Sequence, residues 1–276
     1  MMKQQFLNQI LVRFKTINFI RARQAFVPTT HFAIFLLSIL MGLLIQRPIT
    51  QAAVQIPTGL TKTDRQEALR IIGFGTSSKI LSDPYPLGGY DGLEAGISVE
   101  LLPAGDLGHL GAGLTDPQSD IAFPKFTIGK GLYNNLDLFF HFIPYNQKSE
   151  LSQWGGTVRW GFYQAFYLPL STSINLHFNS SNISNLLTSQ TVGADIIGGI
   201  NADNVALYAG GGPLRSSGSF LGGTSGVTDS NSLELESVTG LHFVVGATVH
   251  LAQMFIATQI DHYTQTLFSA KIGLRF

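Results

Sequence analysis

From Leu93 to Phe276 apolar side chains return at every second position, segment after segment. Leu93, Ala95, Ile97, Val99 and Leu101 share one parity, while Glu94, Gly96, Ser98 and Glu100 share the other. Leu168, Leu170, Ile174, Leu176 and Phe178 alternate with Ser171, Ser173, Asn175 and His177. Phe268, Ala270, Ile272, Leu274 and Phe276 alternate with Ser269, Lys271, Gly273 and Arg275. Neighbouring side chains of an extended backbone point to opposite faces, so this period dictates strands with one apolar and one polar face. The pattern runs with more interruptions through 136–143, 154–163, 191–201, 241–251 and 256–261. Residues 120–130, with a phase shift near Pro124, and the glycine-rich 204–212 bring the total to ten strands, an even number.

The connections alternate in length as well. Long links are expected at 102–119, 144–153, 179–189 and 213–236, and short ones at 131–135, 166–167, 201–204 and 252–253. The brief Thr264-Gln265-Thr266 is the exception. Short turns at one end and long loops at the other mark the two ends of a membrane barrel, and an even count places both ends of the strand run on the short-turn side.

Alternation alone does not separate a barrel in lipid from a soluble sandwich, which hides its apolar face and coats the outside with long charged side chains. Composition decides. Only 12% of residues are charged, about half the usual share of roughly 25%. The polar parity is mostly Ser, Thr, Asn, Gly and His. In a bilayer every backbone polar group needs an internal partner, which a closed sheet provides, and strands of about 9–11 tilted residues suffice to cross. The expected fold class is therefore all-β: a single antiparallel transmembrane β-barrel of about ten strands. Aromatic girdles are expected from Tyr90, Tyr133, Phe166, Tyr167 and Phe276 at one end, and from Tyr145, Trp154 and Tyr263 at the other. A secreted soluble β-protein is the competing architecture.

The last ten residues, Leu267–Phe276, carry a terminal Phe276 with apolar residues at Leu274, Ile272, Ala270 and Phe268. This resembles the C-terminal assembly signal of bacterial outer-membrane β-barrel proteins. The resemblance implies insertion into the cell outer membrane of a Gram-negative bacterium, with the lipid bilayer and an outer-membrane assembly machinery as partners. It implies no particular permeant, substrate or cofactor.

Residues 1–52 contain Lys3, Arg13, Lys15, Arg21, Arg23 and Arg47 and no acid, and Phe32–Ile45 is an almost unbroken apolar run. Fourteen residues are short for a spanning helix and fit the apolar core of a secretory signal. Cleavage after Ala52 is expected, with a retained anchor as the alternative. Without the leader, eleven basic residues face seventeen acids, which removes nucleic-acid binding from consideration. The chain has no cysteine, so disulfides, thiolate metal sites and thiol nucleophiles are excluded.

Residues 53–90 precede the barrel domain, 91–276. Thr63-Asp64-Arg65-Gln66 reads as a capping box, and Ala68, Leu69 and Ile72 form a narrow stripe, predicting a helix over 63–73. Gly73–Lys79 superficially suggests a phosphate loop but lacks a glycine before the lysine. The segment is expected either on the periplasmic face or in the lumen as a plug. Gly96, Gly161, Gly193, Gly199, Gly240, Gly246 and Gly273 fall on the inward parity. They either make room for that segment or relieve crowding where the sheet twists.

The lumen-lining candidates are Glu94, Glu100, Asp137, His141, Arg159, His177, Asp195, His242, His250, Asp261, Lys271 and Arg275. Unpaired buried charge is costly, so Lys271 and Arg275 are expected to reach Asp261 on the preceding strand and Glu94 or Glu100 on the first. A charged constriction that selects permeants is the functional alternative. His141 and His177 with Asp137 are the first residues to consider for a barrel enzyme acting on lipid or peptide, although no GxSxG or HExxH motif occurs. His242 and His250 are eight residues apart on one strand, roughly 26 Å, too far to share a metal; no cofactor is expected. The Ser/Gly-rich 214–236 reads as a solvated loop, and the sequons at Asn179 and Asn182 carry no weight. The resulting expectation is a non-enzymatic barrel serving as a narrow channel or in a structural or surface role.

Overall fold

A computed structural model describes residues 54–276 apart from 115–119, 144–149, 166 and 231. The proposed leader, Tyr145 and Phe166 lie outside the described residues. Ten antiparallel strands form a closed barrel in which each pairs with its sequence neighbours, and the first pairs with the last. They are β1 (Leu93–Leu102), β2 (Ile121–Gly131), β3 (Leu136–Ile143), β4 (Leu151–Gln164), β5 (Leu170–Ile183), β6 (Leu187–Ala202), β7 (Val205–Phe220), β8 (Glu234–Leu251), β9 (Met254–His262) and β10 (Thr266–Arg275). Closure runs in register from Glu94 opposite Arg275 to Leu101 opposite Phe268. Leu93 and Phe276 exchange backbone hydrogen bonds of 2.9 and 3.0 Å at the base.

The alternation places an apolar belt outside. Ile97, Phe140, Trp160, Leu176, Ile196 and Phe243 are exposed there, together with Ile272, Leu274 and Phe276 of the C-terminal segment. Phe268 on the same face is half-buried. Tyr90, Tyr133 and Tyr167 are exposed near the base, and Trp154 toward the far end. A closed sheet with an apolar exterior is a transmembrane β-barrel. Two expected aromatic or inward positions are corrected. Tyr263 is buried in the lumen, stacked on His242 with ring centroids 4.5 Å apart. Tyr163 turns outward because a register shift between Gly161 and Tyr163 interrupts the alternation.

The long strands correct the expected loops. β5 and β6 pair up to Ile183–Leu187, so the predicted link 179–189 shrinks to a three-residue turn, with Ser184 and Asn185 both at positive φ. β7 pairs with β8 up to Phe220–Glu234, so residues 214–220 of the supposed loop are strand. Small inward residues explain the misreading: Ser216 and Gly218 leave room for Gly73 and Leu69 inside the barrel. Strands β4–β8 have 14 to 18 residues and extend beyond the other strands at the end opposite Leu93 and Phe276, the outer end.

In this outer part large apolar residues fill much of the interior, beside the small Ser216 and Gly218 and the Glu234 and Glu236 carboxylates that face Arg65. Leu151, Ile183, Leu187, Phe220 and Val238 join Leu69, Ile71, Ile72 and Phe74 in one buried cluster. Outward positions there are mostly polar, including Asn182, Thr188, Gln190, Ser217 and Ser237, with the exposed Leu235 as an exception.

Candidate functional site

The lumen is occupied by the chain's own residues before β1. Helix α1 (Lys62–Ala68) lies at the outer end and continues as a wider turn, Leu69–Phe74. Its cap corrects the sequence reading: Thr61 is the N-cap, and its hydroxyl accepts from Asp64 N–H while the Asp64 carboxylate accepts from Thr61 N–H. The helix therefore starts before Thr63. Thr61-Lys62-Thr63-Asp64 has the same three-residue spacing as the predicted box, with the Asp64 carboxylate in the role expected of the Gln66 amide. Arg65 is buried and held by Glu236 at 2.8 Å and Glu234 at 3.4 Å. Leu69, Ile71, Ile72 and Phe74 then fill the apolar outer core.

Below Gly75 the chain descends past one polar partner after another. The Ser77 hydroxyl meets Tyr263 at 2.6 Å, and the Ser78 hydroxyl meets His141 Nε2 at 3.0 Å. Lys79 donates to Glu100 at 2.6 Å, and Leu81 N–H donates to Gln259 at 3.0 Å. Ser82 donates to Glu94, while Asp83 accepts from Arg275 at 2.9 Å and lies 2.7 Å from His250. Near the base the Tyr85 hydroxyl donates to Pro169 O and Leu87 N–H donates to Asp137. Pro84 and Pro86 rest where Gly199 and Gly161 lack side chains: a Cβ there would stand 2.5 and 2.7 Å from the proline rings. Phe74 occupies the space over Gly240 in the same way. The other inward glycines serve their neighbours in the wall, with the rings of His177, Tyr208 and Phe255 folded over Gly193, Gly246 and Gly273, and the Lys271 side chain over Gly96.

The candidate lumen residues separate into groups at different heights. At the base, Glu94 binds Lys271 and Arg275, both at 2.7 Å. Neither base reaches Asp261, contrary to expectation, because Asp261 is engaged by His242 and Gln259. Glu100 is shared by Lys79 and Lys125 at 2.6 and 2.8 Å. Asp137 pairs with Arg159 at 2.8 Å, and the Arg159 guanidinium also lies 4.8 Å from the Phe139 ring centre. Asp195 sits between His177 at 3.2 Å and His242 at 3.1 Å. His242 is thus bracketed by two carboxylates, with Asp261 at 2.8 Å on its other nitrogen.

These pairs disassemble the catalytic grouping considered from sequence. Asp137 is taken by Arg159, His141 faces Ser78 and His177 faces Asp195, so among the described residues no carboxylate hydrogen-bonds to His141. Ser78 and His141 are each 3% exposed, which leaves a substrate no approach to this serine–histidine contact. Among the described residues no group of His, Asp and Glu is arranged to hold a metal ion.

Sequence reasoning missed Lys79, Asp83, Lys125 and Gln259. The first two lie in a segment without periodicity. Lys125 was hidden by the apparent phase shift at Pro124, which is no shift at all: Phe123, Lys125, Gly129 and Gly131 all face inward. Outside the lumen, a groove of about 590 Å³ opens at the outer rim, lined by Lys62, Gln66, Gln190, Ser217, Glu236 and Ser237 among others.

No family model and no curated protein matches the chain. Among solved structures it is similar to the N-terminal β-barrel domain of Pseudomonas aeruginosa OprF (13% identity over 68% of this chain and 99% of that one, TM-score 0.31). It is also similar to Ail, the attachment invasion locus protein of Yersinia pestis (12%, 67% and 97%, TM-score 0.27). A third is the outer membrane protein Omp33 of Acinetobacter baumannii (7%, 73% and 100%, TM-score 0.28).

Proposed function

We propose that this protein is a sealed, non-enzymatic β-barrel of the bacterial outer membrane whose work is structural or done at its outer rim, not conduction through the lumen. The observation that carries this is the unbroken course of residues 58–87 down the lumen, with wall partners at every height from Ala112 at the outer mouth to Asp137 at the base. The apolar belt and the C-terminal segment ending in Phe276 support the location. The inward carboxylates Glu94, Glu100, Asp137, Asp195 and Asp261 are all matched by bases or histidines, so none is presented to a passing ion.

Planar-bilayer recording on the purified full chain tests this, with a heat-modifiable band on a gel as proof of folding. The expected result is no discrete conductance steps from folded protein. Regular steps from the intact chain would sink the sealed-lumen reading. Deletion of 54–88 in a barrel that still folds should open a conducting path.

A further inference from the structure

We infer that the barrel carries its own N-terminal side across the membrane, so that the chain around Val54–Lys62 lies at the external end, with Thr58 and Lys62 open to the outside, while β1 starts on the internal side. The inference rests on the outer-membrane reading above and goes beyond it.

Three observations fix the course. First, Thr58 O accepts from Ala112 N–H and Leu60 N–H donates to Val227 O, both at 2.9 Å. Ala112 and Val227 belong to the β1–β2 and β7–β8 connections, which lie at the end of the barrel away from Leu93 and Phe276. Val54, Ile56 and Leu60 are buried in the same cluster as Leu107 and Val227. Second, partners of the descending chain move down the wall in order: Glu236 near the outer start of β8, Tyr263 just past β9, Glu100 and Gln259 lower, then Glu94 and Arg275 at the base. Third, the length suffices. Residues 76–88, extended at about 3.3–3.6 Å each, reach across a hydrocarbon core of about 30 Å.

A consequence concerns assembly. Lys271 and Arg275 of β10 meet Glu94 of β1, and Ser82 and Asp83 of the threaded chain bind the same Arg275. The seam thus closes around a segment already inside it. A finished barrel would have to pass helix α1 and the bulky Phe74 of the turn after it through a lumen crowded by its own ion pairs.

The chain has no cysteine, so single cysteines report location without background. Thr58→Cys and Lys62→Cys probe the N-terminal side, both positions being exposed. Asn185→Cys marks the outer β5–β6 turn and Gln253→Cys the turn between β8 and β9 at the base. Each variant is checked for heat modifiability, then treated on intact cells with a membrane-impermeant maleimide, before and after permeabilisation. The expected result is labelling of residues 58, 62 and 185 on intact cells, and of 253 after permeabilisation only, a difference of at least about tenfold. Labelling of 185 on intact cells with 58 and 62 both protected would overturn the threading and leave the barrel reading standing. Labelling of 253 with 185 protected would overturn the orientation itself, and with it the external placement.

Discussion

Strand β2 passes from a greasy interior to a charged one within two residues. Ile121 and Phe123 point into the apolar outer core, and Lys125, on the same face, points at Glu100. On the opposite face of the barrel wall the change runs the other way: Ser217 and Ser237 meet water at the outer end, whereas Phe243 and Val245 lie bare in the belt below. The outer storey therefore follows the rule of a soluble protein, with an apolar inside and a polar outside. The membrane storey inverts it, since lipid rewards an apolar exterior and leaves the interior to paired polar groups. The threaded segment conforms to both. Leu69, Ile71, Ile72 and Phe74 pack into the apolar outer core, and Ser77, Ser78, Lys79, Ser82 and Asp83 meet polar wall groups, with Ile80 and Leu81 between them on two small apolar clusters. Which face of a strand is greasy is thus decided by what surrounds each level.

The largest predicted effect would break the membrane storey from inside. Glu94→Gln keeps the shape but leaves Lys271 buried without its anionic partner and removes one of Arg275's two. Removing one member of a buried pair costs about 3–5 kcal/mol, so the folded band should be lost at a clearly lower urea concentration in lipid vesicles. An unchanged midpoint would mean the base is hydrated and the storey is not a closed polar core. In the outer storey the matching test is Phe220→Ala. Phe220 is fully buried, and its truncation should cost about 3–5 kcal/mol by the same measurement. It should do so without opening any conductance, because the lower ion pairs remain.

The exterior gives a sharper contrast. Leu176→Arg places a charge in the belt, where it should cost about 2–4 kcal/mol. Ser237→Arg, on the outward face higher up, should change stability by no more than about 0.5 kcal/mol. If both variants cost the same, the boundary between water and lipid has been drawn at the wrong height.

Strand faces were legible because a period of two survives noise, and Glu94, Glu100, Asp137, Arg159 and Lys271 all stand buried and inward. Partners were not legible. Alternation gives the face of a residue but not its height, so Lys271 was directed to Asp261 as readily as to Glu94. The polarity inversion also imitated a phase error in β2, and it made the Ser/Gly-rich end of β7 look like loop although Phe220 closes the core there. Residues 76–88 carry no period to read, because a chain that contacts a wall on every side follows its neighbours one by one.

The smallest effect belongs to a water-facing carboxylate at the outer end of the threaded segment. Asp64 accepts hydrogen bonds from the Thr61 hydroxyl at 2.7 Å and the Thr61 N–H at 3.0 Å, and the hydroxyl's bond above all lowers its pKa below the usual carboxylate value. A carboxyl depressed by folding stabilises fully above its unfolded value and loses that contribution as pH falls through the lowered one. Wild-type protein should therefore lose slightly more stability than Asp64→Asn between pH 7 and pH values below about 4. Because the group is exposed, solvent screening keeps the difference below about 1 kcal/mol. Urea midpoints at the two pH values measure it, and equal acid losses in the two proteins would show that the cap contributes nothing at the outer rim. The ion pairs of the lower lumen are common to both proteins and cancel in this comparison, so the outer storey's water-facing cap is read separately from the membrane storey's buried charges.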